Sequence, residues 1–367
     1  MSALWGAVIL ISAGNAFAGF KDLNLTPGAT EISNRVYNLH MLIFWICVVI
    51  CVGVFAVLIY SIVNHRKSKG AKPASFHEST KVEIIWTTIP FLILVGMAIP
   101  ATQTLLALED TRDADMSIQV TGYQWKWKYD YLDEDISFFS TLATPRDQIE
   151  NKAAKGENYL LEVDNPIVVP TNKKIRFLIT SNDVIHSWWV PALGWKQDAI
   201  PGFINDAWTE LDEPGLYRGK CAELCGKDHG FMPIVLVAKN EADYKAWVDE
   251  QKAAAAAVAA ASTQELTMDE LMTKGEQVYN TTCAACHQAN GQGIPGVFKP
   301  IAGSPIATGD KAAHIDIVVH GKQGTAMQAF GEQLSAVDIA AVITYERNAF
   351  GNDTGEMVQP SEITAAK

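Results

Sequence analysis

Two long uncharged stretches near the N-terminus constrain the fold of this chain more than any other feature. Residues 39–63 carry no charged side chain apart from the titratable His40, and residues 84–108 carry none. Each stretch is long enough to cross the ~30 Å hydrocarbon core of a bilayer with some tilt. A helix buried in a soluble domain rarely stays apolar on every side over such a length. We therefore predict a transmembrane hairpin within residues 19–110, with helices at about 39–63 and 82–108.

The loop between the two stretches is basic, and this predicts the orientation. It carries His65, Arg66, Lys67, Lys69, Lys72 and Lys81. By the positive-inside rule this loop is cytoplasmic, so everything after residue 108 lies on the opposite side. In a bacterium that side is the periplasm, and the expected location is the inner (cell) membrane.

The first 18 residues form a separate segment. They are apolar from residue 4 onwards and end in Ala16-Phe17-Ala18. Small residues at that spacing are typical of a secretory signal cleavage site. Residues 1–18 are therefore expected to be a signal peptide, and the alternative is a short membrane-edge helix that stays in the mature chain.

Net charge and cysteine pairing exclude some classes of function. The formal charge of −12 argues against a nucleic-acid partner and is compatible with docking of a basic protein. The six cysteines form the pairs Cys47/Cys51, Cys221/Cys225 and Cys283/Cys286. Because the last two pairs lie inside ligand motifs, the sequence does not predict a disulfide framework.

Residues 111–240 have the pattern of an all-β domain. Short alternating apolar segments separated by Pro and Gly lie at 117–127, 158–163, 174–180, 186–190, 216–220 and 232–238. This pattern predicts an antiparallel sandwich or barrel. The aromatic residues Tyr123, Trp125, Trp127, Tyr129 and Tyr131 alternate with polar ones, which predicts that all five project from one face of a strand.

The rest of the chain divides into a linker, a helical domain and a tail. Residues 241–264 are Ala-rich and are expected to be helical or a loose tether. Residues 265–350 are predicted to be mostly helical, with helix starts at Thr267 and Ser335, each followed three residues later by an acidic side chain. Residues 351–367 are expected to be a frayed tail.

Residues 221–232 contain the most specific ligand motif. Cys221, Cys225, His229 and Met232 lie within one loop length, and His186 lies upstream in a strand-like segment. Sulfur and imidazole ligands select copper, and a second thiolate suggests two copper ions bridged by two sulfurs, which share one electron. The alternatives are a Cys221–Cys225 disulfide or a zinc site, neither of which would use the methionine and the distant histidine.

Two carboxylates belong to these predictions. Glu223 lies between the copper cysteines and is a candidate ligand through its carbonyl or its carboxylate. Glu83 lies at the cytoplasmic start of the second span. It is either an interfacial carboxylate in contact with water or a group that collects protons.

Cys283-Ala-Ala-Cys286-His287 matches the attachment motif of c-type haem. The two thiols at this spacing reach the two vinyl groups of a porphyrin, and the adjacent histidine is directed at the iron. A thioredoxin-like redox pair is the alternative, but the sequence around the motif does not predict the βαβ unit that it requires.

The sixth iron ligand must come from downstream of this motif. Met327 lies in a loop just before the last predicted helix, and a thioether ligand raises the reduction potential relative to a second histidine. The alternatives are His314 and His320, which are expected to be solvated on a short helix, and Met357 in the tail.

Together these features resemble subunit II of the haem–copper cytochrome c oxidases over residues 25–240. The resemblance rests on the copper motif and on Val-Glu-Ile-Ile-Trp at 82–86, Tyr-Gln-Trp-Lys-Trp at 123–127, Asp-Val-Ile-His-Ser-Trp at 183–188 and Gly-Leu-Tyr at 215–217. The unit with Cys-x-x-Cys-His resembles the cytochrome c domain that some bacterial oxidases carry on this subunit. Cys-Ala-Glu replaces the family's more common Cys-Ser-Glu, a change that should not disturb metal ligation.

The resemblance implies a fold and a set of site residues. The fold is multidomain: a two-helix transmembrane hairpin, an all-β cupredoxin-like sandwich and an all-α class I cytochrome c domain. The implied ligands of a binuclear CuA centre are the side chains of His186, Cys221, Cys225, His229 and Met232 and the backbone carbonyl of Glu223. The Glu223 carboxylate would also bind Mg²⁺ at the boundary with subunit I, Trp125 would receive electrons, and Glu83 would lie at the mouth of a proton channel.

The function that follows is electron transfer in respiration. The chain would pass electrons from a reduced cytochrome c or a similar donor, through covalent haem c and CuA, to the haem and copper of subunit I. There O2 would be reduced to water with proton translocation, in a complex that also contains subunit III. The alternatives are a membrane-anchored copper carrier and a CuA-dependent reductase of the nitrous-oxide type. The second would need a many-histidine copper domain, which eight scattered histidines do not supply.

Overall fold

Two long helices form the N-terminal part of the computed structural model, which describes residues 24–72, 75 and 77–367. Helix α1 spans Glu31–Asn64 and α2 spans Thr80–Leu108, so both are longer than predicted. Both are long and apolar enough to cross a membrane. The predicted signal segment, residues 1–18, lies outside the described residues.

The start of α1 packs against the β-domain. Thr30 caps the helix by accepting a hydrogen bond from the Ser33 N–H at 3.0 Å, and its hydroxyl donates to the Leu193 carbonyl at 3.0 Å. A Cβ on Gly194 would come within 2.5 Å of the Ser33 Cα, so only glycine permits this approach. These contacts fix the β-domain to the helix that emerges from the predicted membrane span.

Ten described strands form two five-stranded sheets. The first sheet has the order β3 (Ile136–Ser140), β2 (Lys126–Tyr131), β1 (Met116–Tyr123), β5 (Ile175–Ser181) and β8 (Asn205–Thr209). The second has the order β4 (Ile167–Pro170), β10 (Pro233–Lys239), β9 (Gly215–Cys221), β6 (His186–Trp189) and β7 (Lys196–Ala199). Trp188 of the second sheet stacks on Phe177 of the first with ring centroids 5.3 Å apart, so the two sheets pack face to face as a sandwich.

The sequence predicts an antiparallel sandwich, and this is wrong for two of the strand pairs. β1 pairs with β5 in parallel, and β10 pairs with β4 in parallel. Alternation of apolar residues reports which face of a strand is buried and carries no information on the direction of its neighbour. The predicted strand at 158–163 does not form, and its only sheet-like contact is an isolated bridge between Leu142 and Val163.

The aromatic run at 123–131 does not lie on one strand. β1 ends at Tyr123 and β2 begins at Lys126, so Gln124 and Trp125 form the turn between them. The Gln124 N–H donates to the Asp183 carboxylate at 2.7 Å, a contact that the local sequence pattern does not reveal. Tyr123 pairs with Lys126 and packs against Phe139, so it lies on the face opposite Trp127, Tyr129 and Tyr131. The prediction of one shared face is therefore wrong for Tyr123 and for Trp125.

Shorter helical segments connect these elements. They are the single-turn helix α3 (Arg146–Ile149) and the 3₁₀ turns Lys67–Lys69, Pro191–Leu193 and His229–Phe231. After β10 the chain forms helix α4, Glu241–Ala261, which includes the whole Ala-rich run. The linker is thus helical through Ala261.

The C-terminal domain, here residues 265–367, is helical. Its helices are α5 (Met268–Val278), α6 (Ala284–His287), α7 (Pro305–Thr308), α8 (Lys311–His320), α9 (Ala336–Asn348) and α10 (Pro360–Ala366), with a π-helical turn at Tyr279–Cys283. Thr267 and Ser335 cap α5 and α9 as predicted. A Cβ on Gly275 would come within 2.2 Å of the Ala341 carbonyl oxygen, so glycine allows α5 and α9 to cross in close contact.

The last residues of the chain are packed, and the expectation of a frayed tail is wrong. Val358 and Ile363 have no exposed surface. The Gln359 side chain accepts from the Leu266 N–H and donates to the Leu266 carbonyl, both at 2.9 Å. The two ends of the domain are therefore joined, a contact between residues far apart in sequence.

We predict that Ile363→Ala lowers the free energy of opening of the C-terminal domain by about 2–5 kcal/mol, because it leaves a cavity in a packed core. The measurement is amide hydrogen exchange in α9, made on the full chain. Ser361→Ala, an exposed change in the same helix, is the control and should have little effect. Equal exchange rates in both variants would show that α10 does not contribute to the core.

Candidate metal centre and haem-attachment site

The loop between β9 and β10 collects most of the predicted copper ligands. Cys221 is the last residue of β9, and Pro233 begins the adjacent antiparallel strand β10. The Cys221 N–H donates to the Met232 carbonyl at 2.9 Å, which closes the base of the loop. Cys221, Cys225 and Met232 are all at most 3% exposed. The loop is therefore a closed structure whose sulfur-bearing side chains are directed inward.

His186 reaches this loop from the neighbouring strand β6. Its Nδ1 lies 3.9 Å from the Cys221 Sγ, and the Cys225 Sγ lies 3.6 Å from the His229 Nδ1. The side-chain donors of His186, Cys221 and Cys225 all lie within 4.8 Å of one another. Two strands and one loop thus bring together two imidazoles and two thiols.

The two thiols are not bonded to each other. Their sulfur atoms are 3.8 Å apart, nearly twice the ~2.05 Å of a disulfide, and both cysteines are free. The alternative of a Cys221–Cys225 disulfide therefore does not describe this structure. The donor set of thiols, imidazoles and a buried thioether has the softness that copper prefers.

The Glu223 carbonyl faces the same cluster. Its oxygen lies 3.3 Å from the Cys221 Sγ, although the residue as a whole is exposed. Of the two roles considered for Glu223, this geometry supports a ligand role for the carbonyl.

Asp183 orients His186 from behind. Its carboxylate lies 2.8 Å from the His186 Nε2, which leaves the Nδ1 facing the sulfurs. Such a carboxylate fixes the tautomer and the ring orientation of a metal ligand. The sequence analysis assigned no role to Asp183, although an acidic side chain three residues before a candidate ligand is a usable signal.

Gly122 provides the space that the His186 ring occupies. A Cβ at this position would come within 2.7 Å of the His186 Cδ2. The Trp127 ring packs against the imidazole with centroids 5.9 Å apart. The strand β1 that carries this glycine therefore sets how deeply His186 can lie, which no local sequence pattern indicates.

The cluster shifts the acidity of its own members. Burial raises the pKa of Cys221, but hydrogen bonds from His186 and from backbone groups outweigh it and bring the pKa to about 7. Burial and the adjacent Cys221 raise the pKa of Cys225 to about 12. Burial lowers the pKa of His186, but Asp183 and Cys221 outweigh it and raise the pKa to about 9. One thiol of the pair is thus prepared to ionise near neutral pH.

Trp125 connects the surface to this cluster. Its indole N–H donates to the Cys225 carbonyl at 3.1 Å, and the Gln124 side-chain amide donates to the same oxygen at 2.8 Å. Gly226 has a φ of 120° and would carry a Cβ only 3.0 Å from the indole ring. The half-buried Trp125 is therefore held in direct hydrogen-bond contact with a candidate ligand.

The haem-attachment motif lies on the turn between α5 and α6. Cys283 ends the π-helical turn, Cys286 lies in α6, and His287 ends α6. The His287 Nδ1 lies 2.8 Å from the Lys299 carbonyl, so it must be the protonated nitrogen. The His287 Nε2 then keeps a free lone pair, as an iron ligand requires.

Met327 lies in the loop between α8 and α9. It is partly buried against the core of the C-terminal domain, and its carbonyl accepts from the Lys322 N–H at 3.0 Å. Its role as the sixth iron ligand stays a prediction.

The rival ligands to Met327 are placed differently. His320 is exposed beside Asp316, and Met357 is 40% exposed. His314 was expected to be solvated, but it is buried and lies 2.9 Å from Glu346, so that expectation is wrong.

Glu83 lies in the first turn of α2 and is exposed. Its carboxylate accepts from the Ser79 N–H at 3.4 Å, which is a helix-capping contact. Its role in a proton channel stays a prediction.

Comparison with known families agrees with this architecture. The chain matches the family models of the cytochrome C oxidase subunit II transmembrane domain over residues 18–104 and periplasmic domain over residues 116–239. Residues 270–345 match the model of cytochrome C oxidase, cbb3-type, subunit III.

Individual proteins give the same result. The chain is 39% identical over 236 residues to a probable cytochrome c oxidase subunit 2 of Rickettsia bellii, covering 64% of this chain and 86% of that protein. It is 40% identical over 239 residues to the mitochondrial cytochrome c oxidase subunit 2 of Vigna unguiculata, covering 64% of this chain and 61% of that protein. The crystal structure of the periplasmic domain of subunit II of the Bradyrhizobium japonicum cytochrome oxidase is 41% identical, covering 39% of this chain and 96% of that one, with a TM-score of 0.35.

We predict that Gly122→Ala lowers copper affinity by about 10–100-fold, the effect usual for changes that displace a metal ligand from its support. The added methyl would have to push the His186 ring out of place. Gly230→Ala, in the ligand loop but with no atom within 4 Å of the new Cβ, should bind copper normally. The measurement is copper content after competition with a chelator, and equal content in both variants would contradict the role of Gly122.

We predict that Cys221 in metal-free protein ionises with a midpoint near pH 7, where its pKa lies. Because the His186 hydrogen bond lowers this pKa, His186→Gln should move the midpoint to higher pH. The measurement is the ultraviolet thiolate absorbance that Cys221→Ser removes, with His320→Gln as the control. An unchanged midpoint in His186→Gln would contradict the proposed interaction.

Proposed function

Since the chain belongs to the cytochrome c oxidase subunit II family and carries a cytochrome c domain, we propose that it is the subunit through which electrons enter a respiratory terminal oxidase. It is a subunit of a haem–copper oxidase, anchored in a membrane with a periplasmic domain. The observation that carries the proposal is the pair of free sulfurs of Cys221 and Cys225, 3.8 Å apart beside His186.

The copper centre would be held by the loop between β9 and β10 together with His186. The proposed ligands are the side chains of His186, Cys221, Cys225, His229 and Met232 and the carbonyl of Glu223. When bound, two copper ions bridged by sulfur would hold one shared electron without a large change in geometry. The ligand shell favours this use because Asp183, Gly122 and the closed loop restrict movement of the donors.

Haem c would be bound by the C-terminal domain. Cys283 and Cys286 would attach it covalently, and His287 and Met327 would ligate the iron. The hydrogen bond from His287 to the Lys299 carbonyl supports this assignment, because it leaves the Nε2 free. A membrane-anchored copper carrier would need no such site.

Trp125 is the proposed point at which electrons reach the copper ligands. A reduced cytochrome c, or a similar donor, would reduce the covalent haem c, and Trp125 would receive the electrons that go on to the copper site. The hydrogen bond from the indole to the Cys225 carbonyl gives this side chain a direct connection to a ligand residue.

The remaining partners complete the enzyme. Electrons would pass to the haem and copper of subunit I, where O2 is reduced to water with proton translocation, in a complex that also contains subunit III. Glu223 would share a Mg²⁺ ion with subunit I, and Glu83 would lie at the mouth of a proton channel. The location would be the inner membrane of a bacterium.

We predict that this chain, within the oxidase complex, holds two copper ions and one covalently attached haem iron. Cys221→Ser and Cys225→Ser should each abolish near-infrared copper absorption and oxidase turnover, because each removes one of the two thiolates that the centre would require. Cys47→Ser and Cys51→Ser, at exposed positions of α1, are the matched controls and should keep both properties. Retained absorption and turnover in either of the first two variants would overturn the proposal.

A further inference from the structure

The C-terminal domain concentrates buried charge at the end of α9. Glu346 and Arg347 are 4% and 1% exposed, and His314 of α8 is 3% exposed. The His314 Nε2 lies 2.9 Å from the Glu346 carboxylate. Buried ionisable pairs are poor stabilisers, since desolvation offsets much of their attraction. Apolar side chains would stabilise this part of the core as well as the His314–Glu346 pair does. Stability alone therefore does not explain why the pair is buried here.

The end of α9 that carries Glu346 packs against the segment that would carry the haem. The ring of Tyr345, the residue before Glu346, lies 5.6 Å from the Tyr279 ring, centroid to centroid, and Cys283 packs against the same core. Burial raises the pKa of Cys283 and of Tyr279, and the Glu346 carboxylate raises both further. The buried Glu346–His314 pair and the Cys283 segment therefore share one core.

Arg347, the next residue, makes its contacts elsewhere. Its guanidinium pairs with Glu356, and its Nη2 donates to the Gly309 carbonyl at 2.9 Å, while its Nε and Nη1 are buried without a hydrogen-bond partner. Asn352 donates to the Glu346 backbone carbonyl at 2.6 Å. Among the described residues, the Glu346 carboxylate is thus bonded to His314 and not to Arg347.

We propose that Glu346, held by His314, is a positioning residue whose charge sets the reduction potential of the haem bound at Cys283. A buried charge acts through a low dielectric, so its effect on a nearby redox group is larger than that of a surface charge. A carboxylate favours the oxidised iron, and the hydrogen bond from His314 limits this effect. Burial and nearby charge are recognised means by which a protein tunes haem potential. The inference rests on the proposed function only in requiring that haem is attached to this domain.

Helix α8, which carries His314, also contains an exposed ion pair that serves as a matched control for the buried one. His320 of α8 pairs with Asp316 at 3.0 Å, but both side chains are more than half exposed. The two pairs have the same chemistry and nearly the same distance, and they differ in burial. Solvent screening should make the Asp316–His320 pair nearly without effect on the potential.

The test is a spectroelectrochemical titration of the haem in the purified oxidase complex. Glu346→Gln should make the haem easier to reduce by roughly tenfold in equilibrium constant, ~59 mV for one electron. His314→Leu, which removes the hydrogen bond to the carboxylate, should shift the potential in the opposite direction. Asp316→Asn and His320→Gln should leave it unchanged.

The outcomes separate this proposal from a structural role. Potentials of Glu346→Gln and His314→Leu that match those of the control pair would overturn it, even if both variants are less stable. If Glu346→Gln does not fold, His314→Leu alone decides, because it leaves the carboxylate in place. A pyridine-haemochrome assay on the same samples detects covalent haem, so failure of haem attachment, which would contradict the proposed function, is distinguished from an unchanged potential.

Discussion

The hydrogen bond from the Cys221 N–H to the Met232 carbonyl is the contact on which the metal centre depends. It closes a loop between two antiparallel strands at its base, so ligands from both ends of the loop start from fixed positions. The 3.8 Å separation of the sulfurs follows from this closure together with the short 3₁₀ turn at His229–Phe231. The neighbouring sheet strand supplies His186 at a position set by the register Trp188–Cys221. The centre is thus built largely by the backbone, and the donor side chains occupy positions that the sheet has already determined.

Features that depend on local chemistry could be predicted from the sequence. The two spans, the cysteine motifs and the caps at Thr267 and Ser335 each follow from a short run of residues, and the structure contains all of them. The support that Gly122 gives could not be predicted in the same way. Gly122 acts on His186 across the sandwich, and its importance depends on which strands become neighbours, whereas Asp183 lies only three residues before His186 and has a local signal. Parallel pairing of β1 with β5 belongs to the same class, because the direction of a strand is set by distant connections.

The C-terminal domain illustrates the same limit at its end. Residues after 350 have no strong apolar periodicity, yet Val358 and Ile363 are fully buried because Gln359 is bonded to Leu266 at the start of the domain. His314 looks like a surface histidine on a short helix, but Glu346 reaches it from another helix. Both errors arise because burial depends on contacts between residues far apart in sequence.

Because α4 is a continuous helix, adding or removing residues in the linker has a different structural effect than it would have in a disordered tether. A disordered tether tolerates added residues, since its ends are only loosely correlated. In a helix of 21 residues, each inserted residue adds ~1.5 Å and turns the rest of the helix by about 100° around its axis. An insertion of one alanine would therefore turn the last residues of the helix farther about the axis than an insertion of seven, which returns almost to the starting angle. A change in the number of alanines thus alters the direction in which the end of the helix faces as well as its length.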